Sequence, residues 1–462
     1  MRIAQSANFL EILSRQKKRV SSLYMLGHLM AKGRTFIIRQ PLSVRYGIDG
    51  ILVTGGLSLA ANNNNLFAQR LGAGDFHLAM LQFLPQIIML FLLIPSGILA
   101  DSLKNKRVMV VIALVCSGIF FALAGGAAFI PLHTIYFFLV FLAIANISNG
   151  MYNLSWQGYF PEVVSANPEA HENRNNVLTF RARMVMIVNF SVPLVVGVIL
   201  TAITSHEGKV AAHQAFYGLA AVMYFSNAFH FRKIKATQSA IPKGISRTEM
   251  KEAVRRMVKN KPFMLFTLLI LFFHMMWQAD WTLYFIGQAN YLYMNELMLS
   301  MGPVTATAAQ LITLKFWSKN NVRQGVDKPL AYGMFSLALC PLAIIIGVSL
   351  PLSVGPWVFL VIHFIGHLGF ANIALNLFQS LLKVVDEEYR SFFISVYTCV
   401  ITLSNALMPV AGVAVYRAFG GNRQGLIYTF FIMFILRILV GILWLIRCKY
   451  ANKPSTALPS EA

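Results

Sequence analysis

The sequence is short of charge, and shortest of acid. Only 12% of its 462 residues are charged, and 17 Asp and Glu face 39 Lys and Arg. A soluble chain of this size carries about a quarter charged residues, so a water-exposed globular protein is excluded as the whole of it. Cysteine is scarce too. Cys116, Cys340, Cys399 and Cys448 are scattered with no C-x-x-C spacing, which argues against both a disulfide framework and a thiolate metal site. No G-x-x-x-x-G-K-[ST] phosphate loop is present, so ATP-driven work is not expected. No paired acids and no nucleophile–base constellation point to an enzyme. The first 46 residues have no uninterrupted apolar core, so no signal peptide is expected.

Long apolar runs are abundant. Twelve of them, Ile48–Arg70, Leu78–Ala100, Val108–Ile130, Thr134–Tyr159, Val177–Thr204, Ala215–Phe231, Phe263–Gly287, Met294–Trp317, Leu330–Leu350, Trp357–Leu382, Phe392–Phe419 and Leu426–Ile446, are each long enough to cross a bilayer. About 20 apolar residues span roughly 30 Å of hydrocarbon as a helix. Lipid offers no partner to backbone N–H and C=O groups, so these segments are predicted to be helices. The fold class expected is an all-α polytopic membrane protein with twelve transmembrane helices.

The net charge of +22 is not spread evenly. Lys and Arg crowd the N-terminal segment (Arg15, Lys17, Lys18, Arg19, Lys32, Arg34, Arg39, Arg45) and return at Lys104–Arg107, Arg174–Arg183, Arg232–Lys261, Lys315–Lys328, Lys383–Arg390 and Arg447–Lys453. The alternate gaps hold only Arg70, Lys209, Arg417 and Arg423. This alternation puts both termini in the cytoplasm of a cell-membrane protein. Anionic lipid headgroups, rather than nucleic acid, are the partners it implies. Residues Phe9–Met30 mix apolar and basic side chains, and read equally as a surface-lying amphipathic helix or a solvated tail.

The chain divides at its basic middle. The organisation expected is a cytoplasmic segment 1–46, a six-helix bundle 47–231, a basic linker 232–262 with a short helix over Arg247–Val258, a second bundle 263–447 and a tail 448–462. The halves also resemble each other. Arg174, Asn189 and Pro193 recur as Arg390, Asn405 and Pro409 at a constant offset, in the fifth span and the eleventh. Repeats of this kind place a substrate site between the bundles near the bilayer midplane.

With twelve spans, both ends inside and two similar halves, the chain resembles the major facilitator superfamily. Gly97-Ile-Leu99-Ala100-Asp101-Ser102-Leu-Lys104-Asn-Lys106-Arg107 is similar to the family signature G-x-L-A-D-R-x-G-R-R, with Ser102 and Lys104 in place of Arg and Gly. The resemblance implies two pseudo-symmetric six-helix bundles and alternating access. It also implies a conformational lock at Gly97, Asp101 and Arg107, with Arg174 and Arg390 at matched mouths. Pro193-Leu-Val-Val-Gly197 is a partial match to an antiporter motif, lacking the Gly before Pro.

Polar residues inside apolar helices mark the candidate site. Asp280 is the one acid read as inside the hydrocarbon, with Asp49, Asp101 and Glu296 read as helix ends. His274, Trp277, Gln278, Trp281, Tyr284 and Gln288 form a stripe beside Asp280. The tenth span adds His363, His367, Asn372 and Asn376, and the two pairs share a cavity only if the helix bends at Gly366 and Gly369. Helix four contributes Asn146, Asn149, Asn153, Trp156 and Gln157. Asn62–Asn65 in the first span point all round a helix, so only some can face a cavity. Amides with Trp platforms suit a small polar organic solute, sugar- or nucleoside-like. Asp280 with His274, His363 and His367 forms a candidate proton-coupling group, with H+ as coupling ion. His-x-x-x-His also has metal-ligand spacing, but no third ligand is at hand and no metal or cofactor is expected. Arg437, mid-helix in the last span, has a structural role. A monomeric secondary active transporter is the expectation. The alternatives are a proton-driven exporter of amphiphilic compounds and a non-transporting membrane sensor.

Overall fold

The computed structural model describes residues 41–60, 63–102, 106–165, 174–234, 247–386 and 388–451. Phe9–Met30, read as a surface-lying helix or a solvated tail, and the tail beyond 451 lie outside them. Among the described residues the chain is helical, in the order α1 Leu42–Ala60, α2 Asn64–Arg70, α3 Asp75–Ser102, α4 Lys106–Gly126, α5 Thr134–Ser165, α6 Arg174–Ala202, α7 His206–Phe231, α8 Arg247–Lys259, α9 Lys261–Gln278, α10 Trp281–Ile286, α11 Glu296–Gln324, α12 Asp327–Ser349, α13 Gly355–His367, α14 Phe370–Leu382, α15 Arg390–Ala418 and α16 Arg423–Ala451. Each long helix matches one expected run, extended by a few polar residues at its ends.

Among the described residues, ten stretches of helix are long and apolar enough to cross a membrane. The expected first and sixth spans, α1 and α7, are not among the ten. The reason is what they bury: Asp49 in α1, and His213, Asn227 and His230 in α7, face other helices rather than lipid. The lipid-facing surface is apolar, as Ile187, Val195 and Val198 of α6 and Leu268 of α9 illustrate.

Among the described residues two expected spans are broken helices. The seventh divides at Ala279–Asp280 into α9 and α10 and ends in a wider π turn over Gly287–Tyr291. The tenth divides between α13 and α14 at Leu368–Gly369, beside the glycines that permit a bend. A break inside a membrane frees backbone groups that lipid cannot satisfy. Side chains satisfy them here. Trp317 Nε1 donates to Leu368 O at 2.7 Å, and Ser336 Oγ accepts from Gly369 N at 3.0 Å and donates to Gly366 O at 2.9 Å.

Helices α1 and α3–α7 pack on one another, as do α9–α16, and the two groups meet where α6 lies along α11 and α3 along α15. One apolar core fills the first group and continues across the meeting line to Leu283, Ile344, Phe359 and Phe430. A second core, around Phe266, Phe393 and Trp444, fills the far end of the second group. The groups therefore share a core at one end only, the end that carries Glu296. The opposite, basic end holds α8, where Arg256 pairs with Glu252 (3.2 Å) and Glu388 (2.6 Å). Those hydrogen bonds raise the guanidinium pKa further above its ordinary value.

Candidate functional site

At the Glu296 end the seam is closed by contacts that cross it. Arg70 of α2 pairs with Glu296 of α11 at 2.5 Å, and Lys209 of α7 pairs with the same carboxylate oxygen. Arg70 and Glu296 side chains are only 9% and 11% exposed, Lys209 21%. Gln69 Nε2 donates to Asn290 Oδ1 (3.2 Å) and Leu297 N to Thr201 Oγ1 (3.0 Å). Gly197 lets α6 and α11 close up, because a Cβ there would lie 2.7 Å from Ser300 Oγ. The sequence presents Arg70 and Lys209 as gap charges and Glu296 as a helix end. Their role follows from pairings across the seam, which no local pattern encodes.

Beneath this closure lies a cavity of about 180 Å³, room for about six waters at roughly 30 Å³ each. Both groups line it. The first supplies Asn63, Asn65, Leu66 and Pro193; the second supplies Trp281, Tyr284, Phe285, Gln288, Leu299, Ser300 and Pro303. The four-asparagine run thus divides as a helix dictates. Asn63 and Asn65 face the cavity, while Asn64 accepts a hydrogen bond from Tyr217 inside the first group; Asn62 lies outside the described residues. The α9–α10 stripe divides as well. Trp281, Tyr284 and Gln288 line the cavity, and Trp277 packs between Phe273, Phe370 and Trp281. His274 and Gln278 are bonded to each other (3.0 Å), with Gln278 Oε1 accepting from Ser404 at 2.8 Å.

Asp280 occupies the break between α9 and α10, fully buried. Its ion partner is Arg437 (2.6 Å) rather than a histidine. Arg437 also donates to Met276 O (3.2 Å), Trp277 O (3.1 Å) and Leu337 O (2.9 Å). It therefore ties down the Met276 and Trp277 carbonyls, which lie in the last turn before the helix break. Asp280 Oδ1 and Tyr284 Oη are buried with no hydrogen-bond partner. His363 stacks on Phe359, lies 6.1 Å from Tyr284 between ring centroids and 4.2 Å from His367. His367 Nδ1 is bonded to His363 O at 2.9 Å. Among the described residues no group of three or more His, Cys, Asp or Glu is placed to hold a metal ion.

The break at Leu368–Gly369 does not bring Asn372 and Asn376 to the cavity. Both are fully buried. Asn372 donates to Pro329 O at 2.6 Å, and Asn376 exchanges hydrogen bonds with Asn321 at 2.9 and 3.1 Å. They join α14 to α12 and α11. The α5 face also divides: Asn149 accepts from Tyr224 at 2.9 Å, Asn146 is half-buried, and Asn153 is exposed. Trp156 stacks on Phe160 and meets Tyr46 edge-on. The side chain of Gln157 lies outside the described residues, as do those of Gly97, Asp101, Arg174 and Arg390 in the expected lock. Arg107 donates to Arg232 O at 2.9 Å, joining the start of α4 to the end of α7.

Sequence reasoning misplaced Asp49. It is not at a helix end, because α1 begins at Leu42, six residues before the expected start. The carboxylate is fully buried and accepts from Tyr152 Oη (2.7 and 2.9 Å), Asn227 Nδ2 (2.9 Å) and Arg181 Nε (3.1 Å). Arg181, read as a gap charge, is two turns inside α6.

Broken membrane helices, a closed seam and a polar cavity between two helix groups define a membrane transporter fold. The Major Facilitator Superfamily profile matches residues 50–383, and the chain belongs to that family. None of the curated proteins matches it in sequence. Its fold is similar to that of a bacterial homologue of the iron transporter ferroportin in an inward-facing state (14% identity, TM-score 0.69, covering 90% of this chain and 100% of that one). It is similar to the nucleoside transporter NupG (10% identity, TM-score 0.67, 89% and 100%). It is also similar to a D-xylose-proton symporter (12% identity, TM-score 0.63, 87% and 96%). Family and fold indicate a multi-pass membrane transporter rather than an enzyme.

Proposed function

We propose that this chain is a secondary active transporter that moves a small polar organic solute by alternating access through the seam cavity. One observation carries the reading: a cavity of about 180 Å³ shared by both helix groups and lined by Asn63, Asn65, Gln288, Ser300, Trp281 and Tyr284. Amides both donate and accept, and aromatic faces cover apolar ring surface, so a sugar- or nucleoside-like solute fits this lining. The solute contacts both groups at once, so a rocking of one group on the other exposes it to either side in turn. In the state seen here the Glu296 end is shut. The distribution of Lys and Arg makes that end the extracellular one.

Asp280 is the proposed coupling residue, with H+ as the coupling ion. Its Oδ1 is free of partners, and it sits in the break of the helix that presents Trp281 and Tyr284 to the cavity. A change of charge at Asp280 would be felt by Arg437 and by the orientation of α10. His274, His363 and His367 surround this break as secondary proton acceptors.

The test is uptake into proteoliposomes of a radiolabelled panel of pentoses, hexoses and nucleosides, with and without an imposed pH gradient. Accumulation of one class above the passive level, increased by the gradient, is the expected result. Saturable binding of a panel member with no flux under any gradient would replace the transporter with a sensor.

A further inference from the structure

We propose a second recognition site, at Arg181 on the basic-end side of the cavity, which takes an anionic group, a carboxylate or phosphate. It would add a negative charge to the polar solute class proposed above. It rests on that reading for the direction of approach and not for the binding itself.

Arg181 is twelve residues before Pro193 on α6, so it lies about 18 Å along the helix from the cavity. A guanidinium offers five N–H donors in a rigid fork. Arg181 spends Nε on Asp49 at 3.1 Å and turns NH2 toward Tyr152 Oη at 3.4 Å. NH1 makes no hydrogen bond among the described residues. Asp49 does not need the rest of the fork, because Tyr152 and Asn227 already donate to it. The guanidinium lies 4.3 Å over the ring of Trp156, whose other neighbours, Phe160 and Tyr46, hold the indole in place. The side chain remains 20% exposed.

The arrangement is a cation clamped at one edge by a buried acid and along its face by an aromatic ring, with unused donors turned away from both. A purely structural arginine serving a buried carboxylate gains nothing by remaining partly exposed. An oxyanion is the ligand whose geometry matches the free donors, because a fork binds carboxylate or phosphate oxygens in pairs. Holding the fork fixed in advance removes much of the ordering cost of binding.

The experiment is isothermal titration calorimetry on the whole protein in nanodiscs of zwitterionic lipid, with succinate and inorganic phosphate as probes and glycerol as the uncharged comparison. The proposal predicts saturable binding of at least one anion and none of glycerol. Arg181→Gln should weaken it roughly 10- to 100-fold, the range expected for lost hydrogen bonds to a charged group. Asp49→Asn/Arg181→Gln removes both charges, leaves no uncompensated buried carboxylate, and should show the same loss if the single variant folds poorly. Arg183→Gln, an exposed cation two residues along, should bind as the parent does. Repeating the titration in discs with anionic lipid identifies the occupant. Weaker anion binding there makes a lipid headgroup a competitor for the fork; unchanged binding makes a soluble anion its ligand. No saturable binding of either anion in zwitterionic discs, or equal affinity with and without Arg181, overturns the proposal. Either result leaves the uptake experiment above to be judged separately.

Discussion

Glu296→Gln is the substitution that most sharply separates a gate from ordinary packing. Glu296 is the shared anion of Arg70 and Lys209, and it joins the two helix groups. Arg70 and Glu296 are about nine-tenths buried and Lys209 somewhat less. The pairs therefore fall between exposed ones, worth about 0–1 kcal/mol, and buried ones, whose breakage costs about 3–5 kcal/mol. A value of about 2–3 kcal/mol is reasonable, and repulsion between the two cations left behind acts in the same direction. At about 1.4 kcal/mol per factor of ten, the ratio of closed to open states at this end should fall roughly 30- to 150-fold. The readout is a cysteine at Asn65, which lines the cavity, in a background where Cys116, Cys340, Cys399 and Cys448 are replaced. An impermeant maleimide applied from the Glu296 side should label the Glu296→Gln form faster by a comparable factor. Equal labelling rates would refute the reasoning, because the ion pairs would then have no part in holding the seam shut.

Asp280→Asn leaves Arg437 as an uncompensated buried cation. It should lower thermal stability by about 3–5 kcal/mol and abolish accumulation against a gradient, while Asp280→Asn/Arg437→Met recovers stability without accumulation; accumulation that survives in the double variant removes Asp280 from coupling. Gly412→Ala places a methyl against the Ala279 carbonyl oxygen at the α9–α10 break, and should cost about 1–3 kcal/mol by wedging α15 from α9, checked by thermal melting in detergent. Tyr152→Phe removes one donor from the buried Asp49 carboxylate and should cost about 1–3 kcal/mol in the same assay; an unchanged melting temperature would mean that Asn227 and Arg181 already suffice.

The sequence announced the helices because the membrane makes them obligatory: apolar length and the absence of alternative backbone partners leave little choice. It also marked Gly366 and Gly369 as the place where the tenth span could bend, and showed that only part of the Asn62–Asn65 run could reach a cavity. Pairings between distant helices were not legible. Asp280 and Arg437 are 157 residues apart, and their meeting depends on how α9 and α16 are rotated. Asn372 and Asn376 carry the right chemistry for a cavity, yet they hydrogen-bond to α12 and α11, since a helix buried on several sides satisfies its amides wherever a partner is nearest. Asp49 and Glu296 were both read as helix ends. The first is inside because α1 starts earlier than its apolar run, and the second seals the seam because its two cations arrive from α2 and α7.

The central claim is that the two helix groups open alternately at opposite ends. Spin labels placed in pairs at Thr204 and Tyr293 near the Glu296 end, and at Arg183 and Lys319 near the basic end, would follow both ends by pulsed electron resonance. The account predicts that Glu296→Gln lengthens the first distance and shortens the second within the same population. Distances that stay fixed at both ends, or that lengthen together, would contradict it.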